Sequence, residues 1–279
     1  MRIDLHAHSS VSDGTDSPSE LMRAAADARL DVVALADHDT TAGWQEATDA
    51  ADGLGLVCVP AIEISTIWQG ADVHLLAYWP DAGDEDLQRI LAAIRAGRRT
   101  RVPHMLAGLA THGVVISEAD VRAAAGDAAS LGRPHVADAL VAAGVVATRQ
   151  EAFDVWLGDG MPGHAPKPAP PLDVAIRTVR AAGGVGVLAH PWGRGSRGVL
   201  DADALAELAG RGLSGVEVDH VDHSEADRMA LRALADASGL VVTGGSDYHG
   251  TGKAGLALGA FTTDEACYDA LRSLAGRPL

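Results

Sequence analysis

A chain of 279 residues with 47% hydrophobic content is long and apolar enough for one large domain, or one domain plus an insert, and is not a disordered chain. Its formal net charge of -16 argues against a broad nucleic-acid surface, because such binding runs on Lys and Arg neutralising phosphates. No apolar run approaches the roughly 18 residues that span a bilayer, no signal peptide is read, and Cys58 and Cys267 are too few for a disulfide framework. The expected compartment is therefore the cytosol, with no membrane contact and no obligate protein partner.

In chain order, short strand-like runs alternate with Ala-rich helical stretches. The first run, 2–6, ends in His6-Ala7-His8; one intervening residue puts both histidines on the same face of a strand. Asp13 lies in the loop beyond. Ser17-Pro18-Ser19-Glu20 reads as a helix start, with Ser17 as cap, Pro18 at the first position and Glu20 three residues on. The second run, 32–36, is followed by Asp37-His38-Asp39. The flanking aspartates could orient His38, although Asp39-Thr40 reads better as a cap for the next helix. The third run, 56–61, precedes Glu63, and the fourth, 73–78, contains His74.

Between 84 and 166 only helices are expected, over 84–97, 98–112, 117–125, 133–143 and 148–157. Apolar residues there recur at helical spacing, as in Leu87, Ile90, Leu91 and Ile94. The basic cluster Arg95, Arg98, Arg99 and Arg101 fits either a solvated helix face or a phosphate contact. The Gly- and Pro-rich stretch 158–171 reads as a return linker. The fifth run, 185–189, leads to His190-Pro191, the sixth is 215–218, and the seventh, 240–244, leads to Asp247-Tyr248-His249. His104, His112, His164 and His220 have no motif behind them and are expected to be solvated. There is no internal repeat, Walker A pattern or dinucleotide fingerprint.

Runs apolar on both faces suggest parallel strands buried between helices, and hence an α/β barrel. The barrel is expected from 1–83 and 167–279, with 84–166 as an all-helical insert. In such a barrel the C-terminal strand ends converge on one mouth. Nine His, Asp and Glu groups at those ends could hold two or three divalent ions, with zinc, manganese or iron all suited to a mixed imidazole and carboxylate shell. A lone histidine such as His74 is more often an ordinary core residue. Two paired motifs and five further groups at other strand ends outweigh that reading collectively.

His6-Ala7-His8, Asp13, Asp37-His38-Asp39, Glu63, His74, His190-Pro191 and Asp247-Tyr248-His249 resemble the full motif set of the PHP (polymerase and histidinol phosphatase) domain family. The resemblance implies a distorted seven-stranded (β/α) barrel. It implies a first ion on His6, His8, Glu63 and Asp247, and a second on the bridging Glu63, His74 and His190. A third would sit on Asp13, His38 and His249. Leu131-Gly132-Arg133-Pro134-His135, and Val216-Glu217-Val218 followed by His223-Ser224, resemble the stand-alone phosphoesterase branch, which includes 3',5'-nucleoside bisphosphate phosphatases and a 5'-3' exoribonuclease.

The implied activity is hydrolysis of a phosphate ester of a nucleotide or a short 5'-phosphorylated oligonucleotide, by attack of a metal-bridging hydroxide. Glu63, Asp247 and His190 are the expected catalytic groups, and Arg133, His135 and His223 the expected substrate contacts. Arg133 suits a bidentate grip on phosphate, although Pro134 beside it also fits an ordinary helix start. A histidinol-phosphate phosphatase, a non-catalytic PHP module and an amide-bond hydrolase are the competing readings. Arg133 argues against the first and third, and the intact ligand set against the second.

Overall fold

The fold was described from a computed structural model covering residues 1–126, 131–158, 160–165, 169–252 and 256–277, the side chains at 194 and 252 excepted. Seven strands form one sheet in chain order: β1 (Ile3–Ala7), β2 (Val32–Leu35), β3 (Val57–Trp68), β4 (Ala71–Tyr78), β5 (Val185–Ala189), β6 (Gly215–Asp219) and β7 (Val241–Gly244). The segment after β7 returns to β1 and nearly closes the barrel: Asp247 N–H donates to His6 O at 2.8 Å, His8 N–H to Tyr248 O at 2.9 Å, and Thr263 N–H to Ile3 O at 2.8 Å. Among the described residues ten α-helices accompany the strands. They are α1 (Pro18–Asp27), α2 (Trp44–Asp52), α3 (Glu85–Ala110), α4 (Glu118–Ala125), α5 (Arg133–Ala142), α6 (Arg149–Ala152), α7 (Leu172–Ala181), α8 (Ala202–Gly210), α9 (Glu225–Ser238) and α10 (Glu265–Leu274). Ser17 caps α1 as expected: its hydroxyl accepts from Glu20 N–H at 3.3 Å while Glu20 accepts from Ser17 N–H at 2.8 Å.

Alternate residues of β2 serve two cores. Val32 and Ala34 pack with Ile3, Leu5, Val59, Leu76, Tyr78 and Val187, whereas Val33 and Leu35 pack with Leu21, Met22, Ala25 and Ala47 of α1 and α2. Both faces are therefore buried, which is why the run shows no polar alternation.

The sheet is not all parallel, contrary to expectation. β4 is antiparallel to both β3 and β5, while the other neighbouring pairs are parallel. The cause is local. Only Gln69 and Gly70 separate β3 from β4, with φ of 47° and 84°. Two central residues at positive φ make a tight hairpin, and a parallel crossover needs roughly a dozen residues or more. The reversal has a consequence for chemistry: His74, early in β4, pairs with Ser65 near the end of β3 and with Ala189 at the end of β5.

The chain divides into two compact units, Met1–Leu91 with Pro170–Leu279, and Ala92–Ala169. The second has a core of its own, including Val102, Met105, Leu109, Val121, Val136, Leu140 and Leu157. Two helices were expected over 84–112; α3 is instead continuous, with Pro103 inside it. The helix expected over 148–157 begins as α6 and continues as a π-helical turn, Phe153–Leu157. Within the expected linker, residues 159 and 166–168 lie outside the described residues, as does the expected domain boundary there. No described helix is long and apolar enough to cross a membrane.

Candidate metal centre

The mouth of the barrel is organised around the end of β1. The register of β1 against β2 slips between Asp4 and Ala7. Asp4, buried at the slip, accepts from the backbone N–H groups of His6 at 3.2 Å, Ser246 at 2.9 Å and Gly259 at 2.8 Å. This ties β1 to the turn after β7, so that His6 and His8 face Asp247. The flanking aspartates of the second strand end bind neighbouring loops. Asp37 accepts from Ser9 N–H at 2.8 Å, Ser9 Oγ at 2.7 Å and Ser12 Oγ at 2.6 Å, which anchors the loop carrying Asp13. Asp39 does not cap α2, whose N-cap is Gly43 without a side-chain bond. Its carboxylate instead accepts from Ser65 N–H at 2.7 Å and Ser65 Oγ at 3.1 Å, which fixes β3 just past Glu63.

Glu63 is buried, and its two oxygens face different histidines. Oε2 lies 3.2 Å from His6 Nε2, 3.2 Å from His8 Nε2 and 3.3 Å from His38 Nδ1. Oε1 lies 2.6 Å from His74 Nδ1 and 2.9 Å from His190 Nε2. Asp247 Oδ1 completes the first group, 3.6 Å from His6 Nε2 and 3.2 Å from His8 Nε2. Zinc–nitrogen and zinc–oxygen lengths of about 2.0–2.2 Å give a tetrahedral shell ligand–ligand edges of about 3.3–3.6 Å. The four histidine–carboxylate separations in this group, 3.2–3.6 Å, lie close to that spacing. The nitrogens also lack other employment: His6 Nε2, both nitrogens of His8, and His38 Nδ1 are buried with no hydrogen-bond partner. Buried polar atoms are nearly always satisfied, so orphans converging on carboxylates fit a cation between them.

Asp13 gathers a further set at the rim. Its oxygens lie 3.3 Å from His249 Nε2, 3.6 Å from His38 Nε2 and 3.9 Å from His8 Nδ1. His249 Nδ1 donates to Asp247 O at 2.8 Å, which turns Nε2 toward Asp13. Among the described residues, four groups of side chains could thus hold an ion: His6, His8, Glu63 and Asp247; His38, Glu63 and His74; His8, Asp13, His38 and His249; and His6, Glu217 and His220. The structure brings all nine expected groups together, with His38 placed between Glu63 and Asp13.

The electrostatics fit a site built for positive charge. Burial opposes ionisation of His6 and His8, yet the surrounding carboxylates outweigh it. Glu217, Glu63 and Asp247 hold the pKa of His6 well above the usual range, and Asp247 and Glu63 raise that of His8 to about 10. Burial likewise opposes the charged form of Glu63 and Asp247, and nearby histidines hold both well below the usual carboxylate range. His38 goes the other way, lowered to about 3 by desolvation.

Two groups at this mouth were not among the expected site residues. Glu217 and His220, at the end of β6, are fully buried against His6 and Asp247. His220 was expected to be solvated, and its burial corrects that reading. The available signal was a carboxylate inside an otherwise apolar buried strand. His104 and His112 are exposed, as expected, and His164 is half-buried.

The expected substrate contacts differ in availability. Arg133 opens α5 with its guanidinium 5.9 Å from the Phe153 ring centroid. His135 Nδ1 accepts from Gly132 N–H at 3.0 Å, so its proton sits on Nε2; desolvation lowers its pKa and keeps it neutral. His223 is buried, and both nitrogens are taken: Nδ1 donates to Val218 O at 2.8 Å and Nε2 accepts from Trp192 N–H at 3.3 Å. Within the basic cluster, Arg101 Nε donates to Ala165 O at 3.0 Å.

Comparison with known proteins adds a family. The PHP domain model matches residues 4–107. A 3',5'-nucleoside bisphosphate phosphatase of Chromobacterium violaceum is 33% identical over 92% of this chain and 90% of its own. A 5'-3' exoribonuclease of Haemophilus influenzae is 31% identical over 89% of this chain and 90% of its own. Among solved structures, a Bifidobacterium adolescentis protein provisionally described as a metal-dependent phosphoesterase superposes with a TM-score of 0.80 at 38% identity, covering 98% of this chain and 96% of its own.

Proposed function

The chain belongs to the PHP domain family, and on that premise we propose that it is a metal-dependent phosphoesterase that hydrolyses a phosphate ester of a nucleotide, either a nucleoside bisphosphate or a short 5'-phosphorylated oligonucleotide. The observation that carries this reading is the division of Glu63: one oxygen serves His6 and His8, the other His74 and His190. A carboxylate so placed suits a bridge between two divalent ions. His6, His8, Glu63 and Asp247 would hold the first, Glu63, His74 and His190 the second, and Asp13, His38 and His249 a third. Manganese, zinc and iron all suit this donor set. Such ions supply an activated water nucleophile and neutralise phosphoryl charge.

The side chains do the rest. Glu63, Asp247 and His190 act on the reacting group through the ions they would hold. Arg133 and His135 grip a phosphate, Arg133 through a planar pair of donors and His135 through Nε2–H. His223 is left out of this grip because its ring nitrogens are already paired with backbone. The net charge of -16 favours short substrates, and two unpaired cysteines suit the cytosol.

The test is a release assay with manganese on adenosine 3',5'-bisphosphate beside 5'-phosphorylated RNA oligomers. Release of phosphate from the first, or of mononucleotides from the second, is expected. A protein that carries its ions and turns over neither overturns the reading.

A further inference from the structure

β6 contributes none of the nine expected ligands, yet its end supports two of them from behind. Glu217 accepts at both oxygens. Oε1 takes the proton of His6 Nδ1 at 3.0 Å, and Oε2 takes the backbone N–H of His190 at 2.9 Å. With a proton held on Nδ1, Nε2 is the nitrogen left to bind an entering ion, and it is the atom that faces Glu63 and Asp247. The N–H that Glu217 holds belongs to a residue at φ of 27°, a backbone conformation that persists only where its surroundings impose it.

His220 acts on the other side of the same group. Its Nδ1 accepts from Asp222 N–H at 3.1 Å, so the proton sits on Nε2, which donates to Asp247 Oδ2 at 3.3 Å. That leaves Oδ1 as the oxygen facing His8, 3.2 Å from its Nε2. Asp247, like His190, has a positive φ, here 51°.

We propose that Glu217 and His220 are positioning residues of the metal centre: Glu217 sets the tautomer of His6 and the backbone of His190, and His220 holds one oxygen of Asp247 so that the other faces His6 and His8. The inference rests on the metal-centre reading above. It differs from simple core filling in a checkable way. Glutamine has the shape of Glu217 but only one acceptor oxygen, so Glu217→Gln can serve His6 or His190 and not both. Removing an outer partner of this kind typically costs about 10–100-fold in metal affinity.

The experiment is a manganese titration of metal-free wild type, Glu217→Gln, His220→Ala and Val216→Ala, with affinity, stoichiometry and metal-free melting temperature read for each. Val216 is a fully buried neighbour in β6 and so controls for a weakened fold. The expected result is 10–100-fold weaker first binding in both Glu217→Gln and His220→Ala, and wild-type affinity in Val216→Ala despite a lower melting temperature. Wild-type affinity in Glu217→Gln, or equal weakening in Val216→Ala, overturns the proposal. A wild-type chain that binds no manganese overturns the metal-centre reading and this inference with it. Should Glu217→Gln fail to fold, 15N–1H NMR of the zinc-loaded wild type decides: a proton on Nδ1 of His6 is expected, and one on Nε2 contradicts it.

Discussion

Glu63 is the residue on which the most depends, because its burial leaves its two oxygens no partner but the histidines around them. Glu63→Ala is expected to abolish turnover and lower metal content together; near-normal turnover would remove it from the bridging position. His8 gives a second prediction. Its folded pKa of about 10 lies above the ordinary histidine value, so its stabilising ion pairs are fully present below about pH 6.5 and are lost as pH rises through about 10. The lowered Glu63 and Asp247 act with opposite sign: their contribution is present above about pH 4 and is lost as pH falls. At pH 7 the metal-free site therefore holds protons that an entering cation must displace. Calorimetric titration in buffers of different ionisation enthalpy should show at least one proton released per chain, and none released would contradict the charged state of His8. Arg133→Ala is expected to leave metal content unchanged and to lower kcat/KM on a nucleotide substrate by about 10- to 10²-fold, since a charge-assisted phosphate contact is worth about 1.5–3 kcal/mol. A much smaller loss on an aryl phosphate would place Arg133 on the part of the substrate that does not react.

At the scale of elements, the strand ends were legible because most of the expected ligands sit at or just after a short apolar run, as His8 follows β1 and His190 follows β5. The direction of β4 was not read, although its signal was present. Gln69-Gly70 is too short for a crossover, but β3 continues seven residues beyond the expected end and hid the hairpin. His220 was missed for a different reason. A histidine's burial is decided by what packs on it from elsewhere, here Asp247 from beyond β7, and no local pattern encodes that partner. The close approach of these elements gives a further prediction at Gly245. A Cβ there would sit 2.3 Å from His6 Cβ and 2.7 Å from His6 N, so Gly245→Ala must push β1 and the turn after β7 apart. Denaturant unfolding should show a loss of about 1–3 kcal/mol, and metal content should fall with it. A variant with unchanged stability and metal content would show that the two segments have room to spare.

For the molecule as a whole, the family and the proposed ligand set follow from short motifs, whereas the substrate does not. The candidate grip residues Arg133 and His135 lie in the helical unit Ala92–Ala169, which has its own core and carries none of the nine ligands. A -16 chain that gathers three acidic groups and six histidines at one mouth has a donor set able to hold cations, and bound ions should stabilise it by mass action. The decisive measurement is turnover of adenosine 3',5'-bisphosphate during stepwise addition of manganese to metal-free protein, with bound metal counted at each step. Activity is expected to be absent without metal, to stay low through the first equivalent and to rise with the second, because Glu63 must bridge two ions. Full activity in the metal-free chain, or a plateau at one bound ion, would contradict a bridged metal centre.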